Sequence, residues 1–480
     1  MSKKNDGKTF TVEPQFLQKT PTKIEGLDEV LLGGLPTGRL TIINGGPGAG
    51  KTILGLELLI RGTEAGNPAV FISFEETDEA MRRNALSMGW DLAKIEKAGD
   101  LALINPEINY DVVASGEFNI EGLCAILEGQ AKRIGANILI IDAVDMLMRL
   151  FDDPARARSQ MITLHRWLNE RKLTAVMTVK STESYQQEFN YLDFMADCVI
   201  KIDQRVEEQI TTRRLHVLKY RGSDFSSREH PFVISKNGII VMPLSSVNLI
   251  QQATGKFVSS ENKKLDEILG GGYRRGSSIL ISGPSGSGKT SLAFMLSSAA
   301  AKRGERVLYL SLEQSETALI SEMKSVGLNL ESLIEQKTLR ITAVMPEALG
   351  MEEHLYRIIQ EIDEYKPEHL VLDAISATTR IGSKKAAMEF LIRLYHTAKR
   401  RGITCIYTNR IFSGIDEDIE ISGLGISSLV DSAIILNYFR DKDEIGRTLL
   451  VLKSRGTNHS NRYHKFKITD NGIVIDDSAK

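Results

Sequence analysis

The chain has 480 residues, 42% of them hydrophobic and 25% charged, and a formal net charge of −2. That length exceeds one ordinary core and points to two domains of about 240 residues each, while the near-neutral balance argues against a dedicated nucleic-acid coat or membrane-surface protein. Cys124, Cys198 and Cys405 lack CxxC spacing, so neither a disulfide framework nor a zinc site is expected, and with no apolar run near 18 residues the chain is expected to be cytoplasmic, without a membrane span.

Residues 1–20 are polar and charged and read as a flexible N-terminal arm. The first domain is expected over residues 21–247. It opens with GLDEVLLGGLPTGR (Gly26 to Arg39), the strand-like LTII (Leu40 to Ile43) and GGPGAGKT at Gly45 to Thr52. A match to G-x-x-x-x-G-K-[ST] between a strand and a helix is the setting of a phosphate-binding loop. Backbone N–H groups of Gly46, Gly48, Ala49 and Gly50 then surround phosphate oxygens, and the helix N-terminus adds its positive end. Lys51 would neutralise the β- and γ-phosphates of a bound nucleotide, and Thr52 can ligate Mg²⁺.

The next apolar run, AVFISFEE, is read as a strand ending at Glu76. Adjacent residues on an extended strand face opposite sides, so at most one of Glu75 and Glu76 faces the γ-phosphate as a general base. Glu75 is preferred. NILIID ends in Asp142, where a carboxylate can hold Mg²⁺ directly or through water. After TAVMTV comes LHVLKYRG, whose Lys219 and Arg221 have the period-two spacing of one strand face and suit a phosphate clamp, a solvated strand face being the alternative.

The polar stretch from Val247 to Ser259 is read as the join, and from there the whole pattern recurs over residues 248–480. KLDEILGGGYRRGS (Lys264 to Ser277) answers the opening, and GPSGSGKT (Gly283 to Thr290) is a second phosphate loop, with Ser285, Gly286, Ser287, Gly288, Lys289 and Thr290 in the same roles. Lys289 stands 238 positions after Lys51. RVLYLSLEQ is read as ending at Gln314, with Glu313 as the candidate base; HLVLD ends in Asp373; LLVLKSRG carries Lys453 and Arg455. Apolar strands alternating with helical patterns in both halves predict an α/β class: tandem duplicated P-loop domains, mostly parallel central sheets flanked by helices, with ligands at the carboxyl ends of the strands.

The duplicated GLDE and KLDE openings, two P-loops, SFEE, SMGWDLAKIEKAG, LKYRG with LKSRG, and SDFSSREHPFVISKNGI with TNHSNRYHKFKITDNGI together resemble the KaiC family of RecA-like double ATPases, from about Pro21 to Asp476. The resemblance implies rings of six subunits, single or stacked, with nucleotide between neighbours. It implies hydrolysis of ATP in the N-terminal lobe and self-phosphorylation and dephosphorylation in the C-terminal one. Lys219 with Arg221 and Lys453 with Arg455 would reach the next subunit's phosphates, with Thr457 and His459 on the same surface. The family's phosphoacceptors match Ser427 and Ser428, Ser422 falls at a nearby hydroxyl of the family, and Arg380 would steady a phosphate. Gln314 departs from the second acidic residue, Phe225 stands where the second repeat has His459, and the chain stops at Lys480 without the tail through which KaiA acts on other members, so KaiA control is not expected. Val112 to Leu123 weakly resembles the region of the N-terminal lobe that binds KaiB in the family, which leaves a KaiB-like partner open.

These readings together predict an ATPase and serine autokinase in timing or signalling. Two others stay open: a RecA- or DnaB-like motor on single-stranded DNA, for which no strong Lys/Arg block stands out, and a nucleotide-gated scaffold whose second lobe transfers no phosphate.

Overall fold

The structure, a computed structural model, describes residues 17–106, 119–151, 153–181, 190–207, 210–243, 255–411, 426–441 and 444–476. Two compact units divide the chain: Met1–Arg205 with Thr212–Ser246, and Val247–Lys480 with Val206–Thr211.

In the first lobe the strands are β1 (Leu40–Gly45), β2 (Ala69–Ser73), β3 (Leu101–Ile104), β4 (Ile138–Asp142), β5 (Thr174–Lys180), β6 (Cys198–Glu207), β7 (Ile210–Tyr220), β8 (Glu229–Ser235) and β9 (Gly238–Val241). They form one sheet in the order β9-β8-β7-β6-β1-β5-β4-β2-β3. Pairing is parallel from β6 through β1, β5, β4 and β2 to β3. The helices that matter to the site are α1 (Lys51–Glu64), α2 (Asp78–Ser87), α3 (Ile120–Ile134) and α4 (Pro154–Arg171).

Both faces of this sheet are covered, which is why its central strands are apolar throughout rather than alternating. Ile43, Phe71, Ile140 and Val176 pack with Leu54 and Leu59 of α1 on one side. Their strand neighbours Ile42, Ile72, Leu139 and Met177 pack with Leu123 and Leu127 of α3 and Leu164 and Leu168 of α4 on the other. The period of two therefore sorts one continuous apolar run into two cores.

The second lobe repeats this plan with β10 (Ser278–Gly283), β11 (Val307–Ser311), β12 (Leu339–Ala343), β13 (His369–Asp373), β14 (Thr404–Arg410), β15 (Ser432–Asp441), β16 (Glu444–Ser454), β17 (His464–Thr469) and β18 (Gly472–Ile475). Their order, β12-β11-β13-β14-β10-β15-β16-β17-β18, is that of the first lobe strand for strand. Helices α5 (Lys289–Lys302), α6 (Glu316–Ser325), α7 (Met351–Tyr365) and α8 (Lys384–Arg400) take the corresponding places. The duplicated α/β architecture expected from the sequence is thus the one observed.

Two local expectations change. The second strand of each lobe stops at Ser73 or Ser311, short of the acidic residues, because the Ser73 hydroxyl accepts the N–H groups of both Glu75 and Glu76 and the Ser311 hydroxyl that of Gln314. A serine that caps the backbone two and three residues on bends the chain out of the sheet. The joining stretch, read only as a polar join, includes a short strand, Phe257–Val258, that pairs with Tyr273–Arg274. Among the described residues no helix is long and apolar enough to cross a membrane.

Candidate functional site

Each phosphate loop leaves the sheet at the carboxyl end of its first strand and runs into a helix whose N-cap is a left-handed glycine without a side-chain cap, Gly50 before α1 and Gly288 before α5. Gly48 and Gly286 also have positive φ, 71° and 74°. A Cβ at Gly50 would meet only the tip of the Ile234 side chain, at 2.8 Å, which can turn aside, so it is the left-handed dihedral that requires glycine there. The first N–H groups of α1 and α5 are left for an anion.

Lys51 lies in this cradle, its ammonium donating to the carbonyls of Gly45 and Gly46 at 3.0 Å each. Burial holds its pKa below the usual lysine range, partly opposed by Asp142, Asp145 and Glu75. Lys289 donates to Pro284 O at 2.8 Å and is lowered by burial in the same way, against Asp373 and Glu313. Each ammonium is thus held on loop carbonyls with donors to spare for phosphate oxygens.

Thr52 Oγ1 donates to Asp142 Oδ2 at 2.9 Å, and Thr290 Oγ1 to Asp373 Oδ2 at 2.9 Å. The other oxygen of each aspartate accepts from a threonine on the adjacent strand, Thr178 for Asp142 and Thr408 for Asp373. Asp373 has one acceptor bond more, from Tyr309 OH at 2.6 Å. Burial pushes the Asp142 carboxyl up, with the two threonine hydroxyls acting against it.

Among the described residues no group of three or more His, Cys, Asp or Glu side chains could hold a metal by itself. Magnesium does not need one, because it binds through one or two protein oxygens plus substrate phosphates and water. A hydroxyl bonded to a carboxylate, beside a buried lysine and a glycine-lined helix end, fits a magnesium nucleotide.

The acidic pairs divide their work. Glu75 forms a short ion pair with Lys180 at the end of β5 and contributes to the field on both Lys51 and Asp142. Lys180 is raised above the usual lysine range chiefly by that bond. Glu76 is held by Asn84 Nδ2 of α2 at 3.0 Å. In the second lobe Glu313 is exposed and contributes to the field on Lys289, while Gln314 Nε2 donates to Glu322 of α6 at 2.8 Å. Glu313 and Gln314 also line a cavity of about 260 Å³ with Met345, Pro346, Glu347 and Arg380. Arg380 lies across it, donating to Leu312 O at 3.2 Å and pairing with Glu347 at 3.6 Å.

The Lys-x-Arg pairs sit just at and beyond the ends of β7 and β16, yet both cations of each pair converge on one backbone segment. Lys219 donates to the carbonyls of Asp193 and Phe194 at 2.7 and 3.0 Å, and Arg221 to Phe194 O at 2.7 Å. Lys453 donates to Ser427 O and Val430 O at 3.1 and 2.8 Å, and Arg455 to Ser428 O at 2.8 Å. Burial lowers the pKa of both lysines, and the adjacent arginines lower it further. Ser427 and Ser428 form a single 3₁₀ turn, Ile426–Ser428, with Ser428 exposed. Thr457 Oγ1 donates to Ser454 O at 3.2 Å. His459 Nδ1 is enclosed and has no hydrogen-bond partner among the described residues, whereas Phe225 packs against the first lobe's core. Ser422 and residues 112–118 of the KaiB-like stretch lie outside the described residues; of its remainder, Asn119 caps α3 and Ile120 and Leu123 are buried.

Thr178, Thr408, Lys180 and Tyr309 were not singled out in the sequence. Nor were Tyr438 and Arg447, which donate to the second loop's Ser285 O and Gly286 O at 3.0 and 3.3 Å. The threonines carried a usable signal, since each takes the fifth place in a strand that also opens with threonine.

A sequence profile of the KaiC ATPase matches residues 20–246 and again 258–480. The circadian clock protein KaiC2 of Synechocystis sp. is 35% identical over 462 residues, which is 96% of this chain and 81% of that protein. The circadian clock protein KaiC3 of the same organism is 31% identical over 468 residues, 96% of this chain and 92% of that one. The circadian clock oscillator protein KaiC of Synechococcus elongatus is 34% identical over 475 residues, 98% of this chain and 91% of that one.

Proposed function

This chain belongs to the KaiC family of ATPases, tandem RecA-like domains in one polypeptide, and from that premise we propose a cytoplasmic ring of six subunits with nucleotide between neighbours. The first lobe hydrolyses ATP, and the second adds phosphate to and removes it from Ser427 and Ser428, in a timing or signalling role. A KaiB-like protein docking on the first lobe fits that role.

In the first lobe Lys51 and the N–H groups of Gly48, Ala49 and Gly50 bind the triphosphate, and Thr52 with Asp142 holds Mg²⁺. The metal, when bound, draws charge from the β- and γ-phosphate oxygens. Glu75 takes a proton from the attacking water, and Lys219 and Arg221 of the neighbouring subunit spread the charge on the transferred group. In the second lobe Lys289, Thr290 and Asp373 have the binding roles. Glu313 takes the hydroxyl proton of Ser427 or Ser428 of the adjoining subunit as its oxygen bonds to the γ-phosphorus. The bond to the β–γ bridging oxygen breaks, and ADP leaves with that electron pair.

The observation that carries this reading is the grip of Lys453 and Arg455 on the carbonyls of Ser427 and Ser428. It ties the cations that would complete a neighbour's nucleotide site to the segment that would be modified. Incubation of the full chain with MgATP is expected to add phosphate to the peptide containing Ser427 and Ser428, and Glu313→Gln to slow this by about a hundredfold or more. Intact-mass and peptide analysis showing no added phosphate in the unmodified chain removes the kinase reading and leaves the ATPase.

A further inference from the structure

The two magnesium-facing aspartates differ in how many of their lone pairs are already taken. A carboxylate offers about four acceptor positions, two on each oxygen. Asp142 uses two of them, Oδ2 for Thr52 and Oδ1 for Thr178. Asp373 uses three: Oδ2 accepts from both Thr290 and Tyr309, and Oδ1 from Thr408.

The extra donor is a built feature. Tyr309 is fully buried, its ring stacked on Phe294 of α5 with centroids 3.9 Å apart and planes 6° from parallel. Its hydroxyl reaches Asp373 from β11, two residues before Ser311, the residue paired with Asp373 across the sheet. The first lobe has the same register, with Ser73 paired to Asp142, but the residue two before it is Phe71, equally buried and without a hydroxyl. One oxygen atom separates the two arrangements.

We propose that Tyr309 is a positioning residue that sets the grip of the second lobe on its magnesium nucleotide. With Oδ2 filled by Thr290 and Tyr309, Asp373 turns only one remaining lone pair, on Oδ1, toward a metal-bound water. Asp142 keeps one on each oxygen. A carboxylate that shares its charge with a further O–H donor is a weaker acceptor for those waters. The second lobe therefore needs more Mg²⁺ than the first to bind the same nucleotide, and it releases that nucleotide first when free Mg²⁺ falls. This rests on the reading that Asp142 and Asp373 face the metal.

The test exchanges the two residues in the full chain and reads binding of a fluorescent methylanthraniloyl-ATP against Mg²⁺ concentration. The second lobe is read in a Lys51→Ala background and the first in a Lys289→Ala background, with thermal unfolding to establish that each variant folds. Tyr309→Phe is expected to lower the second lobe's Mg²⁺ midpoint by about threefold to tenfold, the size of one ordinary net hydrogen bond, and Phe71→Tyr to raise the first lobe's by a similar factor. A folded variant of either kind whose midpoint stays put or moves the other way overturns the inference, and either arm decides alone if the other variant does not fold. Should Mg²⁺ leave analogue binding unchanged in both lobes before any exchange, the magnesium reading itself fails. Magnesium-dependent binding with no shift on exchange removes Tyr309's role only.

Discussion

At equivalent positions the two lobes make one hydrogen bond with its ends exchanged. In the first, Asn84 of α2 donates to Glu76; in the second, Gln314 donates to Glu322 of α6. The contact that ties the loop after the second strand to the following helix is retained, while the charge has moved from loop to helix. Gln314 therefore marks a relocated carboxylate, and the residue beside it, Glu313, keeps its place next to Lys289. A departure that reads in one dimension as the loss of an acid is, in three, a reversal of donor and acceptor.

The opposite end of the sheet shows a larger divergence. Where β4 begins with the buried Ile138, β13 begins with His369, fully buried against Tyr273, Glu305, Arg303 and Arg275. His369 Nε2 lies 3.2 Å from Tyr273 OH, and Nδ1 lies 3.4 Å from Glu305. The first lobe closes that end with a hydrocarbon and the second with a polar network.

If the lobes divide labour as proposed, the sharpest break comes from Lys289→Ala. It is expected to cut phosphate addition to the Ser427 and Ser428 peptide by about a hundredfold or more, while ATP hydrolysis measured on the same sample falls by less than about threefold. Loss of both together would mean that the lobes do not work separately.

The next largest effect is on acid stability. Burial lowers the His369 pKa to about 4, so the folded second lobe keeps the ring neutral while the unfolded chain protonates it near 6.5. The unfolded state binds more protons in that window, so stability is full above about pH 6.5, falls as pH drops toward about 4, and is level below. The loss amounts to about 3 kcal/mol. Thermal unfolding of the second lobe across that range is expected to show this slope, and His369→Ile, which installs the first lobe's residue, to flatten it whatever it does to stability at neutral pH.

The smallest effect probes the exchanged hydrogen bond. Gln314→Glu sets two carboxylates against each other and is expected to cost about 1 kcal/mol in unfolding measurements. Adding Glu322→Asn rebuilds the first lobe's arrangement and is expected to recover most of it. Equal stability of the single and double variants would show that the bond contributes nothing.

Much of the site was legible in the chain because its parts are local. A phosphate loop is a run of eight residues between a strand and a helix, and Asp142 and Asp373 end apolar runs whose length alone places them at the sheet's carboxyl edge. The pairing of Lys219 with Arg221, and of Lys453 with Arg455, was legible as well. What they hold was not, since the carbonyls of Phe194, Ser427 and Ser428 lie 25 or more positions away. The ends of the second strands were misplaced for the opposite reason: a serine side chain, not the apolar pattern, turns the backbone there.

By itself the sequence determined that this protein is one α/β fold written twice, with a phosphate cradle in each copy, because repeats, turn glycines and apolar periodicity act between near neighbours. Only the tertiary structure decided how many hydroxyls each aspartate accepts, which lysine pairs with Glu75, and that the carboxylate opposite Gln314 sits on the following helix. Those contacts cross between strands, or from loop to helix, and a hydrogen bond a few tenths of an ångström long or short of its reach depends on sheet register and packing rather than on the order of residues along the chain.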